Sequence, residues 1–187
     1  MDNTVTNVSA GKPNISGAVY RAALGSTIPT DATTALAAAY KCMGYVSEDG
    51  MTNSNTLSST DIKAWGGDIV LSIQDEKNDK FQFKLLEVLN PDVLKAVHGA
   101  ANVTGSLSTG ITVDVNSTEQ EEAIWVFELA MRDSAIKRIV VPDAKITEIG
   151  DVVYSDSDAV AYDITLTAYP DSSGDTHHEY IIRIGSI

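Results

Sequence analysis

The chain alternates between stretches with a clear period of two and stretches that carry almost no apolar residues. Ile69, Leu71 and Ile73 alternate with Val70, Ser72 and Gln74, and Phe81, Phe83 and Leu85 alternate with Gln82 and Lys84. A period of two turns one face of a strand toward a core and the other outward. The polar run at 75–79 between the two stretches predicts a hairpin loop. Beyond Ile111 the pattern is all strand. Trp125, Phe127, Leu129 and Met131 make a continuous apolar face, with Ile124, Val126, Glu128 and Ala130 on a lighter one. Val160, Tyr162, Ile164, Leu166 and Ala168 repeat the device, with Asp163, Thr165 and Thr167 facing out. The turn at 170–175 leads to a last strand near 179–184.

The start of the chain reads differently. Residues 1–17 are small and polar, punctuated by Gly11, Pro13 and Gly17, which predicts either a loose tail or an arm that orders against a neighbouring subunit. Val19, Tyr20 and Arg21 predict a short strand. Asp31 is placed to cap a short helix over the Ala-rich stretch 33–41. Gly44 to Gly50 reads as a strand running into a turn: Tyr45 and Val46 favour a pleat, and Gly50 is free to take positive φ. Residues 51–60 are Thr, Ser and Asn with little else, which predicts a surface loop reaching to Gly67. Gly66-Gly67 reads as a bend or bulge at the entry to the next strand.

One helix has full start and stop signals. Asn90 is a cap, Pro91 sits at the first position, Asp92 adds an acid to the first turn, and Gly99 ends the element. Many short strands and one helix predict a mainly β chain, an antiparallel β-sandwich or barrel-like fold with one flanking α-helix. No internal repeat or linker divides it, so one domain over residues 1–187 is expected.

Composition narrows the function classes. At 187 residues with 43% hydrophobic content, the chain buries a real core and is not disordered. Twenty-six acidic against 13 basic residues give a net charge of −13, which repels nucleic-acid phosphates and anionic membranes. The expectation is no membrane partner and no specific grip on DNA. Cys42 is the only cysteine, so no intrachain disulfide forms, and a small half-buried hydrophobe is expected there. The first residues lack the basic start and apolar stretch of a secretion signal, so synthesis and assembly in a cytoplasm are expected.

Candidate chemistry is sparse. His177-His178-Glu179 with Asp171 and Asp175 is the only His-rich spot, but neighbours on a strand point to opposite faces and do not share a metal. Asp151, Asp156 and Asp158 lack the glycine and closing Glu of a calcium loop. Glu119, Glu121 and Glu122 read as a solvated acidic face. Gly66-Gly67 lacks the pattern of a phosphate loop. We expect no catalytic, cofactor-binding or metal-binding residues, and no enzyme.

Several segments together resemble the major tail tube proteins of long, non-contractile-tailed bacteriophages, chiefly those of Gram-positive hosts. They are Asn7 to Pro13, Pro29 to Thr34, Gly44 to Gly50, Ala64 to Asp68, and Ile146 to Asp151. No one of these strings is specific; their order and co-occurrence carry the likeness, which covers most of the chain. Some members of that family add an immunoglobulin-like domain, and this sequence fits the short form. The resemblance implies a structural virion protein. Six copies form a ring, and rings stack into a helical, hollow tail tube around a tape measure protein. Tail terminator and distal tail proteins flank the tube, and DNA transits it without specific binding.

On that resemblance the arm 1–17 and the loop 49–67 become inter-subunit or inter-ring contacts, with Val5, Val8, Lys12, Pro13, Asp49, Met51, Leu57 and Trp65 as the candidate residues. Asp68, Ser72, Gln74, Asp114 and Glu128 become candidates for an acidic lumen. The competing expectation is a β-sandwich binding or adhesion module of a virion or cell surface. That reading predicts exposed aromatics clustered on one face, whereas Trp125 and Phe127 sit on a face patterned as core.

Overall fold

The computed structural model describes residues 3–14 and 17–185. One large sheet dominates. It contains β1 (Lys12–Pro13), β2 (Val19–Ala23), β3 (Lys41–Cys42), β4 (Val46–Lys63), β5 (Ile69–Leu85), β8 (Ala123–Ala130), β9 (Ala135–Ile149), β10 (Tyr162–Ala168) and β11 (His178–Arg183). A separate small sheet joins β6 (Val103–Ser106) to β7 (Gly110–Val113), next to the helix α1 (Pro91–His98).

The strand order is β3-β2-β8-β9-β10-β5-β4, and its pairings are antiparallel. The long strand β9 is the spine. β8 runs along one of its edges. On the other edge, β11 pairs with residues 135–140 and β10 with residues 144–149.

The predicted alternation builds the main core. Phe81, Phe83 and Leu85 of β5 meet Trp125 and Phe127 of β8, Ile139 and Val141 of β9, and Ile164 and Leu166 of β10. Phe83 is edge-on to both Trp125 and Phe127, with ring centroids 6.0 and 5.3 Å away, while Phe81 stacks on Phe127 at 5.5 Å. Each such side chain contributes about 1.5–3 kcal/mol by leaving water. Helix α1 closes this face with Val93, Leu94 and Val97. It starts and stops where the sequence signals place it. Asn90 Oδ1 accepts from the Asp92 amide at 3.0 Å, and Gly99 takes φ of 93°.

The opposite face of the sheet is also covered, and the lighter face of β8 carries a smaller cluster of its own. Ile124 and Val126 are buried with Ala22, Val140 and Tyr40 in a second cluster. The segment 24–40 lies over them, and the Tyr40 hydroxyl donates to the Thr27 carbonyl at 2.9 Å. Thr165, expected outside, is buried too. The helix expected over 33–41 is absent. Asp31 does act as a cap, with Oδ1 accepting from the Thr33 and Thr34 amides at 2.6 Å each, but the chain then continues without helical turns. Alanines offer a helix little to bury, and Tyr40 and Leu36 anchor the segment instead.

The largest correction concerns residues 51–80. Residues 51–63 are not a loop, and 75–79 are not a turn. β4 and β5 form one long hairpin, with Thr56 opposite Asn78 and Ser58 opposite Glu76. Its turn is at 64–68, where the Ala64 amide donates to the Asp68 carbonyl at 2.8 Å and Gly66 and Gly67 take φ of 126° and 100°. Gly50 has the expected positive φ, 74°, but within a bulge: β4 advances from Val46 to Met51 while β5 advances from Leu85 to Phe83. The arm is not loose where described. Lys12 and Pro13 pair with Ala130 and Leu129 of β8.

Candidate assembly interface

Along β5 the first ten residues are exposed, and burial begins only at Asp79. At about 3.3 Å per residue, the hairpin therefore projects roughly 33 Å beyond the packed body. An isolated two-stranded ribbon is marginal in water, so its root and its faces need support.

The root is a buried carboxylate. Asp79 is fully buried and accepts from Asn53 Nδ2 at 2.7 Å and Thr176 Oγ1 at 2.6 Å, and lies 2.5 Å from His177 Nδ1. Burial alone pushes this carboxyl up, but the bonds from His177, Thr176 and Asn53 outweigh it and hold the group below the usual carboxylate range. The His177 ring also meets Phe81 edge-on at 5.4 Å. The hairpin is thus fastened to the turn before β11, a tie the sequence analysis did not foresee. Its only sequence signal is an acid at 79, in step with the buried positions 81, 83 and 85.

The projecting part has two unlike faces. Ile69, Leu71 and Ile73 lie on one, with Ile62 opposite Leu71. All four are exposed, between 45% and 58%. The alternation that predicted a core strand here is real, but no core of this chain covers it. Val70, Ser72 and Gln74 lie on the other face, Val70 exposed and the latter two opposite Asp61 and Ser59. Asp68 stands in the turn beside Trp65, the most exposed large hydrophobic side chain of the described residues.

The remaining expected site residues separate. Asp114 is exposed but follows β7, next to α1, where its amide donates to the Asn102 carbonyl at 2.9 Å. Glu128, the fifth lumen candidate, is not a free acid. Its Oε1 accepts from Arg138 Nε at 3.0 Å, and Arg138 in turn donates to the Asp31 and Thr34 carbonyls at 2.8 Å. Met51 packs against the main core and does not stand free. Val5, Val8 and Leu57 are exposed, and Asp49 reaches Lys84 at 3.4 Å. The two adjacent histidines diverge as alternation requires: His177 to Asp79, His178 to Asp171 at 3.2 Å. Trp125 and Phe127 are buried, and the exposed aromatics Tyr45, Trp65 and Tyr154 belong to different segments. No helix among the described residues is long and apolar enough to cross a membrane.

A β body with a projecting, half-apolar hairpin and an uncovered sheet edge is a building block made to meet other subunits. The sequence profile of a family described as phage tail tube protein matches residues 8–183. The chain belongs to that family. It is therefore a structural protein of a phage virion tail, assembling with other tail proteins into a multi-subunit tube. Among solved structures, a cryo-EM structure of the anti-feeding prophage cap, a tube terminating cap, is similar at 8% identity. The match covers 97% of this chain and 100% of that one, with a TM-score of 0.42. No curated protein matches the chain.

Proposed function

We propose that six copies close into a ring, that rings stack into a hollow tube around a tape measure protein, and that phage DNA passes through the lumen into the host. The observation that carries this reading is the surface the chain leaves uncovered. It exposes 11825 Å², whereas a compact monomer of 19.9 kDa exposes about 8,700 Å². The surplus, about 3,000 Å², reflects the extended hairpin and leaves ample surface for contacts with other subunits.

The sheet supports the same arrangement. β4 ends the strand order with its outer edge unpaired, and an open edge is a liability that ring closure removes. The apolar hairpin face of Ile62, Ile69, Leu71 and Ile73 then packs against a neighbour. The more polar face of Ser72 and Gln74, which also carries Val70, turns to the lumen with Asp68 at the tip. An acidic lumen keeps phosphates from adhering within a screening length of about 8 Å. Tail terminator and distal tail proteins close the two ends.

Electron microscopy of the purified protein at high concentration, with and without tail initiator proteins, tests this. Hollow tubes with sixfold end-on averages are expected. A strict monomer under seeding overturns the reading.

A further inference from the structure

We propose that an acidic groove at one end of β9 receives the basic opposite end of a second copy, so that copies join head to tail. The inference rests on the reading that the chain polymerises, and it names the partner surfaces.

The groove is a cavity of about 820 Å³ between the β4 bulge, the end of β5, the segment 150–161 and the start of β10. Glu48, Asp49, Asp151, Asp158 and Asp163 line it, against a single cation, Lys84. Lys84 is engaged by Asp49 at 3.4 Å, and Asp163 accepts from Gln82 at 3.2 Å. Glu48, Asp151 and Asp158 have no cation partner among the described residues. The floor is apolar, with Leu86, Val153 and Ala161. A basic, partly apolar surface complements such a groove in charge and in character.

The chain carries one at the other end of its spine. The β8–β9 turn gathers Lys12, opposite Ala130, and Arg183, opposite Ala135. Arg132 joins them, its amide donating to Ser9 Oγ at 2.6 Å and its guanidinium to the Val5 carbonyl at 3.5 Å. Asp133, at 3.7 Å from Arg132, is the carboxylate in this turn. Exposed Val5 and Ile184 add apolar area, and the Ile184 amide is tied to the Ser134 carbonyl.

β9 separates the two surfaces. Its 15 residues span about 45 Å. Two different patches at opposite ends make a heterologous contact, which repeats without closing on itself along the join.

The test reverses each side. Glu48→Lys with Asp151→Lys and Asp158→Lys gives a chain basic at both ends, and Lys12→Glu with Arg132→Glu gives one acidic at both ends. Each alone is expected to raise the critical concentration for tubes at least about tenfold, since like charges then face each other. Mixed in equal amounts, the two proteins are expected to copolymerise at a critical concentration within about threefold of the unaltered chain. Circular dichroism and monomer size confirm folding. If a reversal unfolds the chain, Asp151→Asn with Asp158→Asn replaces it and is expected to reduce the salt sensitivity of assembly. Unchanged assembly of either reversed protein, or failure of the folded pair to rescue each other, overturns the inference. So does assembly that depends on added magnesium while the mixture stays monomeric, because the groove then holds a cation. Absence of tubes from the unaltered chain instead overturns the polymer reading itself.

Discussion

His177 Nδ1 stands 2.5 Å from Asp79 Oδ2, and that contact joins the root of the hairpin to the turn before β11. Thr176 and Asn53 donate to the same carboxylate, so three side chains from two separate parts of the chain depend on it. Asp79→Ala leaves those groups without their acceptor. A loss of about 3 kcal/mol in unfolding free energy is expected, measured by urea denaturation at neutral pH.

The same carboxyl gives stability a pH dependence. Its folded pKa lies below the unfolded one. Its contribution is therefore complete above the unfolded range and is lost as pH falls through the folded value. The stability difference between the unaltered protein and Asp79→Asn is expected to hold from pH 7 to about pH 5 and to shrink from there to pH 3. A difference that stays constant over that range would exclude the carboxylate as its source.

Glu128 and Arg138 form the buried ion pair of the second face, with side-chain exposures of 16% and 5%. Glu128→Ala strands the guanidinium and is expected to cost about 3–5 kcal/mol. Glu148, which meets Lys80 at 3.4 Å on the surface, serves as the contrast. Glu148→Ala is expected to cost under about 1 kcal/mol. Thermal and chemical denaturation of both variants separates the two cases.

Gly44 has φ of 72°, and a Cβ there would lie 2.0 Å from Glu87 Cδ. Glu87 accepts from the Tyr45 amide at 3.2 Å and from Asn90, the cap of α1, at 3.0 Å. Gly44→Ala therefore strains the backbone and displaces the carboxylate that holds the cap. A loss of about 1–3 kcal/mol is expected, visible as a lower Tm. At Gly25, with φ of 86° and open space around it, the backbone term alone should appear.

Trp65 and Trp125 report on different things, because one is fully exposed and the other is buried. In the dispersed protein, acrylamide should quench Trp65 and spare Trp125. On tube formation the Trp65 signal is expected to become protected and shift to the blue. Trp65→Ala should leave monomer stability within about 0.5 kcal/mol and weaken assembly.

What could be read from the sequence follows from where each element finds its partner. Helix α1 was legible in full because its cap, its first-turn acid and its stop are local. The strands at 81–85, 124–130 and 162–168 were legible because they pack on this chain's own core. The hairpin was not. Residues 51–60 are polar on both faces, so no alternation marks them as a strand. Gly66-Gly67 reads as a bend or a bulge, and the bend is the hairpin's turn at 64–68, but the acids and lysine at 75–79 look more like a turn than it does. The apolar alternation at 69–73 was seen correctly, but it faces outside the monomer. The pairing of Arg138 with Glu128 was not legible, because an ion pair between strands has no signature in spacing.

The placement of unlike surfaces at the two ends of β9 has a consequence for whatever starts and finishes the polymer. If copies join head to tail, one terminus always presents empty grooves and the other always presents the turn that carries Lys12, Arg132 and Arg183. A single adaptor cannot serve both. The protein that nucleates growth and the one that halts it would need opposite surface charge, so elongation would have a direction fixed before the first two copies meet.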